Sequence, residues 1–142
     1  MTNHGGKMVQ ESLKITGGQP LVGSVKAAGA KNAITKLLVA SLLSDKRCTF
    51  YNVPNIGEVE VTVELCKALG MQVDWERESG KMQVVTPELS TSYVPQHFSG
   101  SNRIPILMIG ALLGRTDQDI IVPTVGGCRI GKRPVNFHID AL

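Results

Sequence analysis

The sequence predicts an α/β fold built from repeated strand–helix units (α+β repeats). Short alternating segments are interleaved with stretches whose apolar residues recur at helical spacing. The same order of elements returns after a shift of about 70 residues. The chain has 142 residues, 42% hydrophobic and 19% charged, which is long and apolar enough for a real core.

Residues 1–11 are polar and read as a disordered N-terminal tail, with Met8 an alternative start. The tail has no apolar h-region, and no run in the chain is long enough to span a membrane. Ser12 to Thr16 alternates apolar and polar residues and reads as a strand. Gly17-Gly18-Gln19-Pro20 is a turn, and Leu21 to Lys26 reads as a second strand. Ala27 to Ala30 is a loop of small residues that leads into a helix from about Lys31 to Leu43. Its apolar face carries Ile34, Leu37, Leu38, Ser41 and Leu42. Asn32 is placed to cap this helix. Lys31 projects from its N-terminal end, where a cation opposes the helix dipole. That position fits either a ligand contact or an ordinary solvated lysine.

Cys48 to Val53 reads as a strand that Pro54 stops. A second helix runs from about Val59 to Leu69, with Val59, Val63, Leu65, Cys66 and Leu69 apolar and Gly70 as its C-cap. Gln72 to Trp75 and Lys81 to Val85 form a hairpin around Glu78-Ser79-Gly80. Cys48 and Cys66 read as core thiols. The shift pairs Asn32, Leu37, Leu42 and Leu43 with Asn102, Leu107, Leu112 and Leu113, and the strand around Phe50 with Asp119 to Val122. This makes residues 12–142 one partial domain. Its first repeat covers about 21–90. A second, truncated repeat covers about 91–142 and stops as its second helix begins, near Phe137 to Leu142.

Composition narrows the chemistry. The net charge of +3 is dispersed, and the three Phe, two Tyr and one Trp are not interleaved with a basic run. Nucleic acid is therefore not expected as a partner, whereas a small anionic substrate is compatible. Three widely spaced cysteines with no CxxC pair fit a reducing cytoplasm, not a disulfide framework or a zinc site.

The richest stretch runs from Gly126 to His138. It sets Cys128 among small residues and near Arg129, Lys132 and Arg133. Nearby cations pull a thiol pKa towards neutrality. Glycines let the backbone approach a ligand, and Arg133 ahead of Pro134 suits a phosphate or carboxylate. A surface turn with solvated cations is the alternative, since the spacing matches no metal-ligand or P-loop template.

Taken together, the repeat, Gly29-Ala30-Lys31-Asn32, and Gly126-Gly127-Cys128 leading to Arg133-Pro134-Val135 resemble the UDP-N-acetylglucosamine 1-carboxyvinyltransferase (enolpyruvyl-UDP-GlcNAc synthase) family. The match runs from about Leu13 to Leu142 and covers only the first third or so of a family member. The resemblance implies two inside-out α/β barrels of three repeats each, of which this chain holds an incomplete barrel of nearly two. It implies transfer of the enolpyruvyl group of phosphoenolpyruvate to the 3-hydroxyl of UDP-N-acetylglucosamine, with loss of phosphate. That is the first committed step of peptidoglycan synthesis, a cytoplasmic reaction without metal or organic cofactor and a target of fosfomycin-type epoxides.

By the same resemblance, Lys31 and Asn32 match the pair that contacts phosphoenolpyruvate, and Arg103 matches an arginine at the substrate site. Cys128 matches the mobile-loop cysteine that donates a proton. Arg133 matches a residue near phosphoenolpyruvate and the nucleotide, and Pro134, Val135, Asn136 and Phe137 occupy the positions that cradle the uridine. Three departures stand out. Pro123-Thr124-Val125 lengthens the common Pro-Gly-Gly-Cys loop. Asn136 stands where many members have aspartate. The second barrel, with the base for the sugar hydroxyl, is missing, so the 142 residues alone are expected to be inactive. The alternative is a non-catalytic remnant that binds a sugar nucleotide or a partner protein. Another type of enolpyruvyl transferase is disfavoured by Cys128 and by Lys31-Asn32.

Overall fold

The computed structural model describes residues 12–126 and 134–142. In chain order the elements are α1 (Lys31–Ser41), β1 (Cys48–Phe50), α2 (Gly57–Ala68), β2 (Gln72–Glu76) and β3 (Lys81–Val85). A short 3-10 turn (Gln96–Phe98), α3 (Ile104–Leu113) and α4 (Asn136–Ala141) follow. The strands form one antiparallel sheet in the order β1-β3-β2, with Cys48 opposite Val84 and Val73 opposite the same residue on the other side.

Alternation puts Met82 and Val84 of β3 on the inner face, where both are buried. Against that face pack α1 through Leu38 and Leu42, and α2 through Val59, Leu65, Cys66 and Leu69. Helix α3 packs beside α1 and adds Met108 and Leu112 to the same core. Gly70 closes α2 at φ 107°, with the Met71 amide donating to Cys66 O at 3.1 Å and the Gly70 amide to Lys67 O at 3.0 Å. The α/β expectation is met, as are the two first helices, the hairpin and a helix beginning near Phe137.

Several expectations need correction. Residues 12–26 form no strand, and Leu13, Ile15, Leu21, Val22 and Val25 are exposed. A strand exists only through a neighbour's backbone hydrogen bonds, and no described segment supplies one here. Asn32 does not cap α1; the N-cap is Ala30, without a side-chain hydrogen bond, and Asn32 lies in the first turn. Leu37 is half exposed, whereas Thr35 and Val39 are buried. Helix α1 contacts both α2 and α3, so its buried arc is set by two neighbours rather than by the most apolar stripe. Thr35 tolerates burial because its hydroxyl donates to Lys31 O at 3.2 Å. Strand β1 ends at Phe50, and the segment matched to Asp119–Val122 is reduced to one parallel bridge between Ile121 and Tyr93.

Cys66 is in the core, as its helical spacing predicts, while Cys48 is half-buried on β1. Burial pushes the Cys66 thiol from 9.0 up to about 12. The unfolded chain ionises this thiol first, so the linked stability is intact below pH 9.0 and is lost as pH rises towards about 12. With a disulfide exchange reagent at neutral pH, Cys66 is expected to react only at the rate of global unfolding. Labelling of Cys66 as fast as that of half-buried Cys48 would refute its core placement.

Candidate functional site

Three helices begin at one place. The N-terminal residues of α1 (Lys31, Asn32), α2 (Gly57, Glu58) and α3 (Arg103, Ile104) line a single cavity of about 590 Å³. Each helix start carries amides without intrahelical partners and about half a positive charge from the macrodipole. Among the lining residues Lys31, Lys36 and Arg103 are cationic and Glu58 is anionic. A cavity with this excess of positive field is suited to a small multivalent anion.

Local sequence explains the convergence. Gly29, two residues before α1, approaches Asn52 so closely that a Cβ there would collide with the Asn52 carbonyl oxygen. The Asn52 side chain donates to Ala27 O at 3.4 Å, and Asn52 itself sits at φ 57°. The start of α1 is thereby held against the turn that leads into α2. Pro105 in the first turn of α3 needs no backbone donor and favours initiation there.

Lys31 Nζ pairs with Glu58 Oε2 at 2.6 Å, across the cavity from one helix start to another. This accounts for a cation at an unfavourable helix end. Both side chains are over a third exposed, so the pair contributes only about 0–1 kcal/mol to stability. Arg103 donates from Nη2 to Pro134 O at 3.3 Å, which joins the cavity to the segment entering α4.

The chain that leads to Cys128 is anchored on the same wall. The Gly100 amide donates to Thr124 O at 3.0 Å, and the Gly126 amide donates to Asn102 O at 2.8 Å. Ser99 Oγ and Thr124 Oγ1 lie 2.8 Å apart in a hydroxyl–hydroxyl hydrogen bond. Gly126 must be glycine, because a Cβ would overlap the Gly100 backbone. Thr124, part of the longer loop noted in the sequence, is thus an anchoring residue.

Lys31, Asn32 and Arg103, singled out from the sequence, meet in the cavity. Pro134 is linked to it through Arg103, whereas Val135, Asn136 and Phe137 do not line it. Cys128 and Arg133 lie outside the described residues. Sequence reasoning missed Glu58, whose acid at a helix start looks like ordinary dipole compensation. It also treated Asn102 only as a counterpart of Asn32. No helix among the described residues is long and apolar enough to cross a membrane.

The family model described as EPSP synthase (3-phosphoshikimate 1-carboxyvinyltransferase) matches residues 15–142. A UDP-N-acetylglucosamine 1-carboxyvinyltransferase from Protochlamydia amoebophila is 79% identical over 92% of this chain and 28% of its own length. Proteins of the same name from Chlamydia pneumoniae and Acinetobacter baylyi are 58% and 42% identical, over 86% and 93% of this chain and 27% and 31% of their own lengths. The chain therefore spans under a third of the curated relatives it matches. The crystal structure of the enolpyruvyl transferase NikO from Streptomyces tendae superposes with a TM-score of 0.60 at 22% identity, over 68% of this chain and 22% of that one, which supports the fold.

Proposed function

The chain belongs to the EPSP synthase (3-phosphoshikimate 1-carboxyvinyltransferase) family, and from its likeness to UDP-N-acetylglucosamine 1-carboxyvinyltransferases we propose that it forms part of an enzyme acting on phosphoenolpyruvate and UDP-N-acetylglucosamine. The enolpyruvyl group moves to the 3-hydroxyl of the sugar and phosphate leaves. The reaction opens peptidoglycan synthesis in the cytoplasm. The observation that carries this reading is the cavity where Lys31, Asn32 and Arg103 meet three helix N-termini.

In the proposed chemistry, the sugar hydroxyl adds to C2 of phosphoenolpyruvate as the methylene carbon takes a proton. Departure of phosphate and of a proton from the resulting methyl carbon restores the enol ether. Cys128 donates the first proton, and the cations near it in sequence, Arg129, Lys132 and Arg133, suit a thiol used in acid catalysis. Lys31, Asn32 and Arg133 hold phosphoenolpyruvate and offset charge as phosphate leaves. Arg103 binds at the substrate site, and Pro134, Val135, Asn136 and Phe137 cradle the uridine. Asn136 offers both a donor and an acceptor to a uracil edge.

Residues 12–142 are placed in an inside-out α/β barrel, with repeats at about 21–90 and 91–142. A second barrel of the same enzyme supplies the base on the sugar hydroxyl, and no metal or organic cofactor is invoked. The test is phosphate release from the two substrates by the complete gene product. No release by the parent protein would sink the transfer reading in favour of a binding role.

Lys31→Ala is expected to lower kcat/KM for phosphoenolpyruvate by about 10- to 100-fold, the worth of one hydrogen bond to a charged group. Its melting temperature is expected to stay close to the parent's, because the exposed pair with Glu58 contributes little. A variant that melts early with unchanged kinetics would make Lys31 an ordinary surface lysine.

A further inference from the structure

Asn102 stands where the cavity wall meets the chain leading to Cys128. Its Oδ1 accepts the amide of Ile104, the first residue of α3, at 2.9 Å, from the position just before the N-cap Arg103. Its carbonyl oxygen accepts the Gly126 amide at 2.8 Å. Both acceptors are therefore used by the fold. The remaining polar group, Nδ2, is buried and has no hydrogen-bond partner among the described residues. The residue is 5% exposed and lines the cavity.

A buried amide donor without a partner is uncommon and destabilising. Trp75 Nε1, Thr86 Oγ1 and Ser92 Oγ share this condition among the described residues, but none of those residues lines this cavity. The orientation of the Asn102 amide is settled by its bond to the Ile104 amide. Flipping it would turn NH2 towards the Ile104 amide, donor against donor. Nδ2 is thereby committed to donate. Asn102 lines the cavity beside Arg103 and three helix N-termini, a setting that favours an anionic acceptor.

We propose that Asn102 is an anion-binding residue of this cavity: its Nδ2 donates to a phosphate or carboxylate oxygen of the bound small anion, while its carbonyl oxygen holds Gly126. The proposal starts from the unpartnered buried donor of a residue that lines the cavity. The identity of the anion rests on the transfer reading, in which it comes from phosphoenolpyruvate or from the diphosphate of the sugar nucleotide.

The variant that separates binding from folding is Asn102→Asp. Its carboxylate keeps an acceptor for the Ile104 amide and suits a helix start, but sets a negative charge where the donor was. Calorimetric titration of the complete gene product with inorganic phosphate, phosphoenolpyruvate and UDP-N-acetylglucosamine tests the assignment. In a variant that folds, affinity for phosphate and phosphoenolpyruvate is expected to fall by about tenfold or more. A loss confined to UDP-N-acetylglucosamine would also support the contact and assign it to the diphosphate. If the aspartate variant melts early, Asn102→Ser is read instead, since it keeps a neutral oxygen acceptor for the Ile104 amide and removes the amide donor. A variant that folds and binds all three as tightly as the parent overturns the proposal, and so does a parent that binds none. Phosphate release judges the transfer reading separately. An active parent with an unaffected variant removes Asn102 alone, and Asn102-dependent phosphate binding without turnover removes the transfer reading alone.

Discussion

Replacing Cys128 with serine is expected to lower turnover of the complete gene product by about a hundredfold or more, while binding of UDP-N-acetylglucosamine stays within about twofold. The reaction proposed above has to protonate a carbon, and the acid must sit beside it with a pKa near the working pH. Arg129, Lys132 and Arg133 lie close to Cys128 in sequence, and cations favour the thiolate form of a neighbouring thiol. A serine hydroxyl is nearly isosteric but far too weak an acid. The anchors that fix the root of this stretch, Thr124 on Ser99 and Gly100 and Gly126 on Asn102, are untouched by the change. Nucleotide contacts assigned to Pro134 through Phe137 are untouched as well. Initial rates of phosphate release and a binding isotherm for each variant decide the matter. Equal loss of binding and turnover would recast Cys128 as structural. Faster alkylation of Cys66 than of Cys128 in the folded protein would remove the chemical basis of the assignment.

Arg115→Ala is expected to destabilise the fold by about 3 kcal/mol, the largest single effect on stability foreseen for an exposed or half-buried residue here. Arg115 follows α3 and reaches back to the other side of the core. Its Nη1 donates to Leu42 O at 2.8 Å, and its Nη2 donates to Thr86 O at 3.0 Å and to Pro87 O at 3.1 Å. Leu42 is the C-cap of α1, where carbonyls lack helical partners and the dipole favours a cation. One guanidinium thus joins the end of α1, the end of β3 and the end of α3. Hydrogen bonds to a charged group are worth about 1.5–3 kcal/mol each, but water replaces part of the set at the exposed Pro87 carbonyl. For a chain of this size the expected fall in melting temperature is about 6–12 °C. Arg115→Lys should recover less than half of it, because an ammonium cannot span three carbonyls as a planar fork does. A melting temperature within about 2 °C of the parent for the alanine variant would mean that water satisfies all three carbonyls.

Much of the local architecture was legible in the residues. Val59, Val63, Leu65, Cys66 and Leu69 mark one helix, Gly70 its end, and the alternation of Lys81–Val85 a half-buried strand; each signal lies within its own element. Lys31, Asn32 and Arg103 were legible as candidate site residues chiefly through resemblance to a family, because their types alone fit a solvated surface equally well. The readings that failed needed a partner from elsewhere in the chain. Residues 12–26 alternate as a strand should, yet a strand is made by its neighbour. Leu37 is as apolar as Leu38, yet α1 turns Leu38 inward because α2 and α3 both press on that side.

The sequence by itself thus determined the α/β class, the order of helices and hairpin, the buried thiol of Cys66 and the family. Those properties follow from periodicity, cap chemistry and motif, which act over a few residues. Tertiary structure alone decided that α1, α2 and α3 start at one cavity, that Glu58 meets Lys31, that Arg115 clamps three carbonyls, and that Asn102 keeps an unused donor at the cavity wall. The physical reason is that these are distances between elements far apart in the chain. They are set by how the helices pack across a shared core, and no local pattern encodes them.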